Sequence, residues 1–111
     1  MNHDFHDQRS LFLHTIIADR LPHAEILNLA FENVEKHIQD KRSLGYTLRW
    51  RALLLGPQEE LIRLMKDPSE DGKAMRQSSP FAGVFSPSER EELFSAFRKK
   101  WDIGEYSNEK A

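Results

Sequence analysis

Ser86-Pro87-Ser88-Glu89-Arg90-Glu91-Glu92-Leu93-Phe94-Ser95-Ala96-Phe97-Arg98-Lys99-Lys100-Trp101 begins with a complete helix-start signal and continues as an amphipathic helix. Serine three residues ahead of glutamate is the S-x-x-E capping box, whose hydroxyl takes up an otherwise unpaired N–H of the first turn. Pro87 suits the first helical position, where an N–H would have no intrahelical partner. Leu93, Phe94, Phe97 and Trp101 then recur at helical spacing. Three other prolines carry the same punctuation. Pro22, Pro57 and Pro68 are followed two or three residues later by Glu25, Glu59 and Glu70. A carboxylate there favours the positive end of the helix dipole. Each of these prolines is expected to open a helix.

Between these starts the apolar residues follow a 3.6-residue period. The first helix is expected over about Asp7 to Arg20; Phe5, Phe12 and Ile16 share one stripe, and Leu13, Ile17 and Leu21 widen it. Leu27, Ala30, Phe31, Val34 and Ile38 mark the buried face of the second. After a turn at Ser43-Leu44-Gly45, the third covers about Tyr46 to Leu55. It is apolar on two sides: Tyr46, Trp50, Leu53 and Leu54 on one, Leu44, Leu48, Ala52 and Leu55 on the other. That pattern predicts a central helix with neighbours on both flanks. Leu61, Ile62, Leu64 and Met65 face inward from the fourth. The fifth, about Pro68 to Gln77 with Asp67 as its cap, is mostly polar and contains Gly72. No segment reads as a strand. The expected fold is all-α: one domain of five or six short helices around a Trp50-bearing helix, with residues 7–101 folded and 1–6 and 102–111 as flexible tails.

A chain of 111 residues is one domain and can bury roughly two-thirds of its unfolded surface. The absence of cysteine excludes a disulfide framework, a thiolate nucleophile and a cysteine-based zinc site. No apolar run approaches the roughly 20 residues of a membrane span. The acidic, His-rich start lacks the basic-then-apolar order of a signal peptide, so a cytoplasmic location is expected. A formal charge of -2 disfavours nucleic-acid binding by the whole surface.

The chemistry-bearing residues support no enzyme. Met1-Asn2-His3 could chelate Cu(II) or Ni(II) if the amine were free, but an unstructured terminus explains it better. His14 lies on the broad apolar side of its helix and reads as a partly buried polar contact. The pairs Glu59-Glu60, Glu70-Asp71 and Glu91-Glu92 lie in early helical turns, where dipole and capping effects account for them. There is no G-x-S-x-G, no phosphate-cradling glycine loop and no H-E-x-x-H, and no base can be assigned to Ser78-Ser79. No cofactor and no metal are expected. Helices four and five have the size of a helix-turn-helix, but the second offers only Lys73 and Arg76 against Glu70 and Asp71.

That leaves the segment Arg76-Gln77-Ser78-Ser79-Pro80-Phe81-Ala82-Gly83-Val84-Phe85, which sets large apolar residues on an irregular backbone. Either the loop plugs the core, or Phe81 or Phe85, rimmed by Arg76 and Arg90, forms a contact surface for a partner.

Leu13-His14-Thr15-Ile16-Ile17-Ala18-Asp19-Arg20-Leu21, Trp50-Arg51-Ala52-Leu53-Leu54-Leu55-Gly56-Pro57 and the Arg76–Pro87 stretch together resemble a family of short uncharacterised bacterial helical proteins. The R-Q-S-S-P-F-A-G-V run is the most specific part, and the similarity spans about residues 11–92. The resemblance implies a bacterial, cytoplasmic, stand-alone domain. It also implies company with toxin–antitoxin or defence modules, and brings no catalytic activity with it. The expected function is a non-enzymatic protein–protein interaction module, antitoxin-like or regulatory, binding another protein or a second copy as a homodimer. The alternative is a helix-turn-helix transcriptional regulator.

Overall fold

α1 (Asn2–Asp19), α2 (Ala24–Gln39), α3 (Leu44–Leu55), α4 (Gln58–Met65), α5 (Glu70–Gln77) and α6 (Pro87–Asp102) are the regular elements of the computed structural model. It describes residues 2–105, with side chains from Phe5 onward. Among these residues there is no strand, and the six helices form one globule.

The prolines mark the helix starts, though only Pro87 occupies the first helical position, with the Ser86 hydroxyl accepting from Glu89 N at 3.1 Å. Pro57 is itself the N-cap, in an extended conformation. Pro22 and Pro68 precede the caps His23 and Ser69. Proline's fixed φ serves just outside a helix as well as just inside it. Ser69, and not Asp67, caps α5: its hydroxyl accepts from Gly72 N, while the Asp67 carboxylate accepts from Ser69 N at 2.8 Å. Gly72 is required by this turn, because a Cβ there would stand 2.2 Å from the Asp67 carbonyl oxygen.

α1 is the element around which the others gather, since α4, α5 and α6 all pack on it. It starts at Asn2, so the expected tail over 1–6 is helix up to its first residue. The physical reason is the Phe5 ring. It meets Phe97 and Trp101 edge-on at 5.3 and 5.2 Å, which brings the first turns into the α1–α6 contact. Arg9 lies over Phe94 and Phe5, Arg90 over Phe94 and Arg98 over Phe5, so guanidinium and aromatic groups alternate along that seam. An Arg20–Glu89 ion pair at 2.6 Å closes its other end. α6 runs to Asp102, one residue into the expected C-terminal tail. Residues 103–105 form a turn in which Gly104 takes φ 85°. Tail residues 106–111 lie outside the described residues, as do Met1 and the side chain of His3.

The deepest line on α2 is Ile26, Ala30 and Val34: the expected Ala30 and Val34, joined by Ile26, with Leu27, Phe31 and Ile38 flanking them half-buried. α2 packs chiefly on α3. There Trp50 is fully buried, but its helix is not enclosed. The side carrying Leu44, Leu48, Ala52 and Leu55 faces solvent, so the expected second flank has no covering element among the described residues.

Trp50→Ala removes a buried aromatic and is expected to cost about 3–5 kcal/mol in a denaturant titration. Gly72→Ala is expected to destabilise sharply. Gly45→Ala, with nothing within 4 Å of the added Cβ, is expected to be neutral to mildly stabilising.

Candidate functional site

The Ser78–Phe85 loop is held from both sides by polar groups. Asn33 Nδ2 donates to the carbonyls of Pro80 (2.8 Å) and Ala82 (3.0 Å). The Ser79 hydroxyl accepts from Phe81 N at 3.2 Å and stands 2.8 Å from His14 Nε2. His14 Nδ1–H donates to the Ser10 carbonyl at 2.8 Å. That fixes the tautomer: Nε2 is the acceptor, and Ser79 Oγ–H donates to it. Gly83 takes φ 89°, which favours glycine, and the Val84 N–H closes a turn on the Phe81 carbonyl.

Of the four expected contact residues, two are interior. Phe81 is 5% exposed. Its ring meets Trp50 edge-on at 5.7 Å and His14 edge-on at 6.0 Å, so it plugs the core and presents no surface. Arg76 is also 5% exposed and is turned toward the α4–α5 junction. Phe85 is half-buried beneath Arg20, 5.2 Å from its ring, and Arg90 is exposed over Phe94. The four residues have separate neighbours and do not form one rim.

The hydroxyl–imidazole–carbonyl chain Ser79–His14–Ser10 has the connectivity of a nucleophile and its base. Its surroundings assign it another task. His14 is buried, the Ser79 oxygen already receives the Phe81 amide, and the chain bolts the loop to α1. Sequence spacing could not reveal it, since 65 residues separate the two side chains. Burial, reinforced by the charge of Arg76 and opposed by the bond to Ser10, pushes the His14 pKa down to about 4. The ring is therefore neutral at pH 7.

Features remain that a ligand or partner could use. One is the outward side of α3. Another is a cleft between α1 and α5 that Asp7, Ser10, Lys73 and Arg76 help to line. The helix-turn-helix reading loses its cations to these contacts: Arg76 is buried, and Lys73 faces Glu70 at 3.3 Å and Asp7 at 3.9 Å. Asp71 is engaged by Arg49 through two bonds of 2.9 Å. Among the described residues no group of three or more His, Cys, Asp or Glu could hold a metal ion. The Met1-Asn2-His3 chelate lies outside the described residues.

No protein-family model, curated protein or solved structure matches the chain.

The His14 shift fixes a pH dependence. The unfolded imidazole titrates near 6.5 and the folded one near 4, so in that window the unfolded chain binds more protons. Stability is full above pH 6.5, falls as pH drops, and reaches its loss below 4, where the deficit is about 3 kcal/mol. Denaturant titrations at pH 7.5 and 4.5 should show this loss, and it should shrink in His14→Asn. An equal loss in that variant would assign the dependence to other groups.

Proposed function

We propose that this chain is a non-enzymatic protein–protein interaction module that pairs with a second copy of itself through the outward face of α3. The observation that carries the reading is an apolar face with no element over it. Leu44, Leu48 and Leu55 are 40, 51 and 62% exposed. They lie within about 40° of one another around the helix, with Ala52 beside them. A soluble chain rarely keeps three leucines aligned in water without a partner to cover them.

The ends of α3 argue for a second copy as that partner. Lys41 and Arg42 precede the helix and Glu59 and Glu60 follow it, all exposed. None of the four makes an ion pair among the described residues. Antiparallel packing of two α3 helices about a two-fold axis would set the basic end of each against the acidic end of the other. The leucines would interdigitate between them. A small partner-binding domain of this kind suits the regulatory or antitoxin-like role that the bacterial resemblance implies.

Sedimentation equilibrium should show a concentration-dependent dimer. Leu48→Glu, at an exposed position, should weaken it about a hundredfold by burying an unpaired carboxylate while leaving the monomer folded. Arg42→Glu should weaken it less, and mixing R42E with E59R should restore pairing. A single-chain mass at about 1 mM protein would sink the reading.

A further inference from the structure

Arg9 of α1 and Arg90 and Arg98 of α6 share two aromatic rings. Arg9 lies 4.1 Å from the Phe94 ring centre and 5.5 Å from that of Phe5; Arg90 lies 4.7 Å from Phe94, and Arg98 4.7 Å from Phe5. The two rings therefore hold three like charges side by side. Burial, and then the charges of Arg90 and Arg98, keep the Arg9 pKa below its ordinary value, and no carboxylate counters them. None of the three makes an ion pair among the described residues. The nearby carboxylates serve other places. Glu89 pairs with Arg20 and Asp7 faces Lys73, while Glu91 and Glu92 line another face of α6 with Lys99 and Lys100. Asp102, one turn beyond Arg98, is exposed and pairs with no described residue.

The ring contacts explain where the guanidiniums rest and leave their donors free, since contact through a π face consumes none of the five N–H groups. Arg9 has one weak hydrogen bond, from Nη2 to His6 Nδ1 at 3.4 Å. The side chains of Arg90 and Arg98 have none among the described residues, and both are exposed. Rings that hold the guanidiniums in place also lower the entropy lost when a carboxylate takes them in the two-bond geometry.

The spacing suits an extended ligand with several charges. Arg90 and Arg98 are separated by two repeats of the i, i+4 step, about 12 Å along α6, and Arg9 joins the two rings between them. One carboxylate or phosphate cannot reach both ends. In an extended peptide alternate side chains share one side, so three acidic residues at alternate positions span roughly 13 Å. A nucleic-acid strand fits less well. Its bases need free aromatic faces, whereas each ring here already carries two guanidiniums and Phe5 also meets Phe97 and Trp101.

We propose that the α1–α6 seam is a docking surface for an extended acidic segment of another protein, whose carboxylates on alternate residues pair in turn with Arg90, Arg9 and Arg98. The surface includes no residue of α3, so it stands whether or not two copies of the chain pair.

The test titrates the full chain into an end-blocked synthetic peptide that carries a neutral fluorophore and three glutamates at alternate positions, with alanine between them. Binding is read by anisotropy at about 20 mM salt. Half-saturation is expected below about 1 mM protein. The peptide with glutamine for glutamate should bind at least about tenfold more weakly. R9Q, R90Q and R98Q should each weaken binding about three- to tenfold, whereas K99Q, which removes a charge from another face of α6, should change it less than about twofold. Arg90 and Arg98 are exposed, so their variants decide the matter even if R9Q does not fold. Failure to saturate, an equal loss in K99Q and the arginine variants, or equal binding of a peptide with its glutamates consecutive overturns the proposal. So does an oligothymidylate that binds more tightly and displaces the peptide, which would assign the seam to nucleic acid.

Discussion

The indole N–H of Trp50 donates to the Met75 carbonyl at 2.8 Å inside the core, and most of the fold leans on that bond. It ties α3 to α5 from inside, as the Arg49–Asp71 pair does at the surface, and α5 has only Ala74 and Met75 as apolar residues to add. The same ring stacks on His14 at 6.5 Å and receives the edge of Phe81 at 5.7 Å. Four segments thus meet on one side chain: α1 through His14, α5 through Met75, the loop through Phe81, and α3 itself. A phenylalanine there would fill part of the volume but leave the Met75 carbonyl without its buried donor. Loss of such a partner costs about as much as loss of the packing.

The loop follows from this arrangement. Phe81 reaches Trp50 only if the chain before it turns inward at Pro80, which is itself buried. An inward turn carries backbone carbonyls away from water, and they need donors. Asn33 meets two of them, while Ser79 joins the Phe81 amide to His14. His14 can play this part only as a neutral ring. Its burial therefore makes the loop's attachment to α1 dependent on pH.

The helix starts were legible because their causes are local. The Ser86 cap needs only four adjacent residues, and its hydroxyl takes the Glu89 N–H as expected, while the Glu89 carboxylate turns to Arg20 and does not close the box. Periodicity puts Phe5 on the α1 stripe but does not show that the helix reaches it, because what orders its ring, Phe97 and Trp101, lies more than 90 residues away. The Ser79–His14 bond is hidden for the same reason. α3 failed differently. Its two apolar sides are real, but periodicity reports that a face is apolar and not what covers it, so one side was assigned a neighbour the chain does not supply. The sequence leaves Phe81 open between core and surface, and the structure takes the core; Arg76, expected at a rim, is buried as well. An aromatic beside proline and glycine has the same local signature whether it plugs a core or contacts a partner.

Arg76 and Asn33 perform the same structural service, and the comparison shows what is unusual about Arg76. Each donates to two backbone carbonyls at a turn. Asn33 does so while neutral and half-buried, at little electrostatic cost. Arg76 does so while charged and 95% buried, with desolvation holding its pKa below the ordinary value and its charge further disfavouring a proton on His14. The Asp67 and Asp7 carboxylates favour that charge without forming an ion pair with it. The backbone bonds account for the length of the side chain and for one of its ends. They do not account for Nε–H, which stays buried without a partner. Arg76 sits on the helix whose Met75 carbonyl receives the Trp50 indole. The adjacent residues Met75 and Arg76 thus fasten α5 in two directions, to α3 through the indole and to the start of its own turn through Asp67.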